Sequence, residues 1–207
     1  IYTKASNLKS CVEVENASKS SGANVQQYES NGNACQHWIL EETTAAGVKL
    51  DTSQVYQFQN ANSALYLEVK DASAEAGANV QQWGANGNDC QNWTLKEFGD
   101  GYYYILSRLG DGKTYYLDVA EGKGDDGTNI QIFTNTKTSA QLFKFIPNPD
   151  GTYYIVTRAS KDKGALGVAA ASKEQGANVL QWTKNGSMDQ MWNITAIGAI
   201  PTPVTTT

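Results

Sequence analysis

Residues 66–93 read YLEVKDASAEAGANVQQWGANGNDCQNW, and three other segments of the chain follow the same skeleton. Those segments are residues 11–38, 116–143 and 165–192. Glu68 is followed 13 positions later by Gln81, and Trp83 is followed 10 positions later by Trp93; both spacings are the same in all four copies. Two spacings kept four times define an internal repeat, whose copies must cover one another's apolar faces.

The four copies, called repeats one to four in chain order, predict an all-β fold. A run of β-branched and aromatic residues precedes each copy, as in residues 102–106 (YYYIL). Together with three runs inside the copy, this makes four short strands in about 45–50 residues, bounded by Gly, Asn, Asp and Ser turns. A glycine six residues before the first aromatic residue predicts a turn with positive φ in each copy: Gly22, Gly77, Gly127 and Gly176.

The composition of the 207-residue chain narrows the class of ligand. Hydrophobic residues make up 40 %, which is enough for a packed core, and 18 % of residues are charged, with a formal net charge of −5. The only arginines are Arg108 and Arg158, so a nucleic acid held through its phosphates is not expected. Apolar stretches are only a few residues long, so membrane insertion is not expected either. This weakly charged, aromatic composition favours a neutral polar ligand.

Catalytic and metal sites are not expected. One histidine, His37, and three cysteines without a CxxC pair make a poor zinc site. Cys35 and His37 lack the orienting third group that nucleophilic catalysis needs. No phosphate-binding glycine loop stands out. We therefore expect no metal, no cofactor and no catalytic residue.

Each copy ends in Gln-x-Trp or Gln-x-Phe, at residues 36–38, 91–93, 141–143 and 190–192. Together with the L-(D/E)-V-like and G-x-N-(V/I) runs that precede it, this pattern resembles the ricin-B-type lectin repeat, which is also the repeat of family 13 carbohydrate-binding modules. The resemblance covers about residues 1–197. It implies a β-trefoil, in which three QxW repeats close a six-stranded barrel capped by three hairpins, with up to one shallow sugar site per repeat. Four repeats are present where three close the barrel.

The resemblance also implies which residues bind the sugar. In the family these are a carboxylate of the first run, a glutamine of the second, an aromatic residue two positions later, and a polar pair before the closing aromatic residue. Transferred by position, the carbohydrate-binding candidates are Glu13, Gln26, Tyr28 and Gln36; Glu68, Gln81, Trp83 and Gln91; and Asp118, Gln131, Phe133 and Gln141. Side chains alternate along a strand, so the carboxylate, amide and ring can share a face. The ring would cover the apolar face of a pyranose, while the polar groups bind its hydroxyls.

Repeat four departs from this pattern. It has Gly167 and Leu180 at the carboxylate and glutamine positions, so we expect it to be structurally intact but not to bind sugar in this mode. The closing aromatic residues of all four repeats are expected in the core: Trp38, Trp93, Phe143 and Trp192. In the family a disulfide often starts at the position of Cys11, but Ser30 stands at its partner position, so that disulfide is not expected.

The links between the copies favour one choice of three repeats. Short links join repeats two, three and four, whereas residues 41–54 form a longer Thr/Ala-rich link after repeat one. We therefore expect an extra repeat and link over residues 1–53, a β-trefoil carbohydrate-binding domain over residues 54–198 and a Pro/Thr linker over residues 199–207. Closure by repeats one to three, or a barrel of all four, are the alternatives.

The preferred hypothesis for function is non-catalytic carbohydrate binding, by a lectin or carbohydrate-binding module with weak multivalent sites for neutral sugars or plant-type polysaccharide side chains. A protein-interaction or scaffold module on a trefoil frame is the alternative. A glycosidase would need two carboxylates about 5–10 Å apart in one cleft, and here the best carboxylates occur once per repeat. Expected partners are glycans or polysaccharide, and other domains of a modular protein joined through the C-terminal linker. The expected location is secreted or cell-surface, in either case extracellular.

Overall fold

A computed structural model describes residues 2–38 and 47–201, and it divides the chain into two compact units, Ile1–Thr44 and Ala45–Thr207. In the first unit, β1 is Ser10–Val14 and β2 is Val25–Glu29, with single-turn 3-10 helices at Lys4–Ser6, Glu15–Ala17 and Ala34–Gln36. The strands of the second unit are β3 (Gln54–Asn60), β4 (Tyr66–Val69), β5 (Val80–Trp83), β6 (Trp93–Gly99), β7 (Tyr102–Ser107), β8 (Tyr115–Val119), β9 (Thr128–Thr134), β10 (Phe143–Pro147), β11 (Tyr153–Thr157), β12 (Gly164–Val168), β13 (Val179–Thr183) and β14 (Met191–Ala199). Its single-turn 3-10 helices are Lys70–Ala72, Asp89–Gln91, Ala120–Gly122, Ser139–Gln141, Ala169–Ala171 and Met188–Gln190.

Six strands of the second unit pair in a closed antiparallel ring, in the order β3, β6, β7, β10, β11, β14 and back to β3. The other six strands form three hairpins, β4–β5, β8–β9 and β12–β13. A six-stranded barrel with three hairpins is the β-trefoil that the repeat predicts. For each of repeats two, three and four, one barrel strand precedes the copy and one starts at its QxW motif, which confirms that three of the four repeats close the barrel.

The interior of the barrel is filled by the closing aromatic residues. Trp93, Phe143 and Trp192 are fully buried, as predicted. The indole N–H groups of Trp93 and Trp192 donate to the carbonyl oxygens of Leu67 (3.2 Å) and Leu166 (3.0 Å), so neither buried donor is left unpaired. Each of these large side chains contributes about 1.5–3 kcal/mol through removal of its apolar surface from water.

The first unit contains one repeat, and the prediction of a core position is wrong for its closing aromatic residue. Trp38 is 38 % exposed, although its indole N–H donates to the carbonyl of Val12 (2.8 Å), as Trp93 does to Leu67. Val25, at the position of the fully buried Val80, is also exposed. One repeat supplies a third of a barrel interior, so this unit lacks the other two thirds that cover the equivalent residues of the second unit.

Three asparagines, one from each hairpin of the second unit, form a closed ring of side-chain hydrogen bonds. Asn79 Nδ2 donates to Asn178 Oδ1 (2.9 Å), Asn178 Nδ2 donates to Asn129 Oδ1 (2.8 Å), and Asn129 Nδ2 donates to Asn79 Oδ1 (3.0 Å). Every member donates once and accepts once within the ring. The three hairpins are thereby tied to one another.

The predicted glycine turns are confirmed by their backbone geometry. Gly22, Gly77, Gly127 and Gly176 have φ between +80° and +87°. In the second unit each turn also bonds a neighbouring repeat: the amides of Gly77, Gly127 and Gly176 donate to the carbonyls of Ile132, Gln181 and Gln82. No helix within residues 2–38 and 47–201 is long and apolar enough to cross a membrane. The link residues 39–46 and the linker residues 202–207 lie outside the described residues.

Candidate functional site

In three repeats a carboxylate and a glutamine face each other across the two strands of a hairpin. The cross-strand partners are Glu13 and Gln26 in β1–β2, Glu68 and Gln81 in β4–β5, and Asp118 and Gln131 in β8–β9. In each pair the glutamine Nε2 donates to the carboxylate, at 3.0, 3.1 and 3.0 Å respectively. The 13-residue spacing therefore corresponds to direct opposition in the antiparallel register, with both side chains on one face.

An aromatic residue, here called the platform, lies two positions after each glutamine position. Three platforms are exposed and that of repeat three is half-buried; they are Tyr28, Trp83, Phe133 and Trp182. The ring of Trp83 lies beside the glycine turn of another repeat. A methyl group added at Gly176 would be 3.4 Å from the Cζ3 atom of Trp83. Trp182 lies in the same way beside Gly127, at 3.6 Å. The turn glycines thus leave room for the platforms as well as permitting a positive φ.

The glutamine of each QxW motif is buried beneath the cleft. Gln91 Nε2 donates to Glu68 Oε2 (2.8 Å) and to the carbonyl of Gly84 (2.8 Å), and its Oε1 accepts from the amide of Asn86 (3.2 Å). Both amide hydrogens and the acceptor are therefore engaged by the protein. The corresponding loops are held in a similar way by Gln36, Gln141 and Gln190. This geometry gives the motif glutamines a positioning role, and direct sugar contact by Gln36, Gln91 and Gln141 stays a prediction.

In repeat two the glutamate accepts hydrogen bonds from four protein side chains. Besides Gln81 and Gln91, Asn86 Nδ2 donates to Glu68 Oε2 (2.7 Å), and the Cys90 thiol donates to the same oxygen (3.8 Å). Burial raises the pKa of the Cys90 thiol, which keeps the thiol protonated as a donor. The remaining cleft has a volume of about 240 Å³. A ligand hydroxyl must therefore compete with protein donors for this carboxylate.

Repeat three leaves more room around its carboxylate. Asp118 is one methylene shorter than Glu68, and Ala140 stands where repeat two has Cys90. The cleft has a volume of about 520 Å³ and is lined by Asp118, Gln131, Phe133, Thr136 and Thr138, among others. Burial raises the pKa of Asp118, and the hydrogen bonds from Gln131 and Gln141 lower it in part. A ligand that donates hydroxyl hydrogens to Asp118 would offset this loss of hydration.

Repeat one, in the first unit, holds its glutamate through three of the four kinds of partner that repeat two uses. Glu13 accepts from Gln26 (3.0 Å), from Gln36 Nε2 (2.8 Å) and from the Cys35 thiol (3.9 Å). All three cysteines of the chain lie in the described residues and are free.

Repeat four has an intact hairpin with a different cleft. Gly167 and Leu180 are cross-strand partners in β12–β13, at the positions of the carboxylate and the glutamine. A cleft of about 310 Å³ lies beside them, with Trp182 as the exposed wall. Structural integrity of this repeat was expected, and the hairpin confirms it.

Sequence reasoning did not single out three loop residues that the structure places at the clefts. Asn86 bonds the carboxylate of repeat two, and Thr136 and Thr138 line the cleft of repeat three. They lie three or five positions after the platform, within the fixed 10-residue spacing. That spacing is the signal that could have marked this loop, since a constant loop length keeps its side chains at constant places.

The family model for the ricin-type beta-trefoil lectin domain matches the chain four times, over residues 3–54, 48–133, 110–182 and 139–202. These matches cover nearly the whole chain and overlap its four repeats. The chain therefore belongs to the ricin-type β-trefoil lectin-like family. Its lectin fold indicates carbohydrate binding as the general function.

Solved structures with the same fold include a designed protein, an enzyme and a lectin. The designed three-fold symmetric protein ThreeFoil is 34 % identical, with a TM-score of 0.65 over 69 % of this chain and 99 % of its own. An exo-β-1,3-galactanase from Clostridium thermocellum is 30 % identical, with a TM-score of 0.65 over 70 % of this chain and 30 % of its own. A ricin B-like lectin from Macrolepiota procera, solved with lactose, is 16 % identical, with a TM-score of 0.57 over 72 % of this chain and 99 % of its own, and shows the fold alone.

Among curated proteins, the clotting factor G alpha subunit of Tachypleus tridentatus is 36 % identical over 69 residues. The match covers 32 % of this chain and spans a tenth of the length of that subunit.

Proposed function

We propose that this protein is a non-catalytic lectin or carbohydrate-binding module that binds neutral sugars or the side chains of plant-type polysaccharides. One observation carries the proposal: an opposed carboxylate–glutamine pair lies beside an aromatic platform in three separate hairpins. A carboxylate accepts two hydroxyl hydrogens, a glutamine both donates and accepts, and a ring covers the C–H face of a pyranose.

The cleft of repeat three is proposed as the strongest of these sites. Asp118 has more space in front of it than Glu68, which protein donors surround in the smaller cleft of repeat two. Shallow open clefts exclude little water, so each site is expected to bind with a Kd of about 1 mM, or about −4 kcal/mol. Several such sites on one chain raise the avidity for a polymer.

The domain organisation proposed from the sequence fits this role. Residues 54–198 would form the carbohydrate-binding trefoil, residues 1–53 the extra repeat with its link, and residues 199–207 a linker to other domains of a modular protein. Glycans or polysaccharide outside the cell, in a secreted or cell-surface setting, would be the partners. The 30 % identity to an exo-β-1,3-galactanase over 30 % of that enzyme's length supports a modular context.

Calorimetric titration with galactose-, arabinose- and xylose-type sugars and polymers tests the proposal. The Asp118→Asn chain should lose about 10- to 150-fold in affinity at repeat three, because hydrogen bonds to a charged acceptor contribute about 1.5–3 kcal/mol. Glu97→Gln is the matched control, since this exposed carboxylate of β6 lines none of the clefts of repeats two, three and four. Absence of heat and of polymer retention for the native chain with every sugar would contradict carbohydrate binding and favour a scaffold role.

A further inference from the structure

The cleft of repeat four contains a carboxylate, but it enters from the opposite wall. Asp189 belongs to the 3-10 helix Met188–Gln190 and occupies the position of Cys90 and Ala140 in the other repeats. It lines the cleft together with Gly167. A methyl group at Gly167 would lie 3.3 Å from Asp189 Oδ2, so the missing strand side chain is what makes room for this carboxylate.

One oxygen of this carboxylate is held by the protein and the other is available. The Ser187 hydroxyl donates to Asp189 Oδ1. Among the described residues no hydrogen-bond donor reaches Asp189 Oδ2, which differs from Glu68, where both oxygens accept from protein groups. The side chain is half-buried, and Asn185 from the same loop also lines the cleft.

Two positions of this cleft are apolar where repeat three has polar side chains. Leu180 stands in place of the strand glutamine, and Ala170 and Ala171 line the side where repeat three has Glu121. The exposed ring of Trp182 forms the facing wall. The cleft therefore combines an aromatic surface, one free carboxylate oxygen and an apolar patch of methyl groups.

We propose that repeat four is a second type of sugar site, specific for a pyranose with an acetamido group. The acetamido group combines an N–H donor with a methyl group, and the cleft offers Asp189 Oδ2 for the donor and Leu180 with Ala170 for the methyl. Trp182 would cover the C–H face of the ring. A plain hexose would set a hydroxyl against the apolar patch, which leaves that polar group without a partner. This proposal rests on the proposed function, since it assumes that the platforms bind sugars.

The test compares pairs of sugars that differ only in the acetamido group: N-acetylglucosamine with glucose, and N-acetylgalactosamine with galactose. The indole N–H signal of Trp182 in a two-dimensional NMR titration of the full chain reports on repeat four, and that of Trp83 reports on repeat two. At least one N-acetylated sugar should shift the Trp182 signal at a concentration about tenfold lower than its parent hexose requires. That ratio corresponds to a difference in binding free energy of about 1.4 kcal/mol.

Two substitutions separate the recognising groups. Leu180→Gln restores the side chain of the other repeats and should reduce the preference for the N-acetylated sugar to less than about threefold, or about 0.7 kcal/mol. Asp189→Ala should abolish the shift of Trp182 for both members of each pair. Glu97→Gln should leave the response of Trp182 as it is in the native chain, because that exposed carboxylate lines none of the clefts of repeats two, three and four.

These experiments distinguish a wrong assignment of repeat four from a wrong proposed function. If the N-acetylated sugars leave Trp182 unshifted, or shift it no better than the parent hexoses, the assignment of repeat four is overturned. A response of Trp83 or a loss of calorimetric heat in Asp118→Asn would in that case still support the proposed function. An unaltered preference in Leu180→Gln would overturn the role of the apolar patch.

Discussion

Replacement of Asn79 by alanine should destabilise the second unit by about 2 kcal/mol. The substitution removes two of the three hydrogen bonds in the asparagine ring, one donated to Asn178 Oδ1 at 2.9 Å and one accepted from Asn129 Nδ2 at 3.0 Å. Each such bond contributes about 1 kcal/mol net. For a domain of this size, the loss corresponds to a decrease in Tm of about 4–8 °C.

The sequence provides a matched control for this substitution. Asn24 occupies the same position of the Gly-Ala-Asn-Val run in repeat one, but its side chain is exposed and lies outside the ring. Denaturant unfolding, followed through the fluorescence of the buried tryptophans, gives the change in free energy from the shift in midpoint at constant m. Asn24→Ala should change it by less than about 0.5 kcal/mol. Equal effects of Asn79→Ala and Asn24→Ala would refute the ring as a source of stability.

The ring also predicts a specific departure from additivity. The double variant Asn79→Ala/Asn178→Ala loses all three bonds, one more than either single variant. The free energy of unfolding should therefore decrease by about 3 kcal/mol in the double variant, instead of by the sum of the two single decreases, about 4 kcal/mol. A strictly additive double variant would show that the two asparagines act independently.

Three further outcomes are expected. Burial raises the pKa of Asp118, so stability falls as the pH rises from the ordinary value of 3.8 through the raised pKa of the folded protein. Asp118→Asn should therefore unfold at a higher temperature than the native chain at pH 7, and the difference should shrink as the pH falls to 3.8. Burial, and after it the Asp162 carboxylate, raises the pKa of Tyr102 to about 12, so an absorbance titration should show Tyr102 among the last tyrosines to ionise. The stability that its protonated form contributes should be lost between pH 10 and 12. Asp162→Asn should lower the pKa of Tyr102. Gly127→Ala places a side chain at φ +82° beside Trp182 and should cost about 1–2 kcal/mol in denaturant unfolding; an unchanged midpoint would contradict strain at this turn.

Much of each candidate site could be predicted from the sequence, because it depends on local geometry. The 13-residue spacing puts Glu68 opposite Gln81 across one hairpin, and alternation along the strand puts Trp83 on the same face. The loop was less predictable, because the contact of Asn86 with the carboxylate depends on how the loop after β5 folds, which neither strand alternation nor cross-strand register fixes. The positioning role of Gln91 was likewise hidden, since its sequence position is the same whether its amide faces a ligand or the protein.

The sequence by itself determined the all-β repeat, the positive-φ turns and the pairing of carboxylate with glutamine, since these need only neighbours within one hairpin. Tertiary structure decided which aromatic residues are core. Trp38 and Trp93 share one motif and one indole hydrogen bond, yet one is 38 % exposed and the other fully buried. The physical reason is that burial requires surface from other repeats, which the barrel of repeats two to four supplies around Trp93. The asparagine ring has the same origin, because its three members come together only when the three hairpins meet.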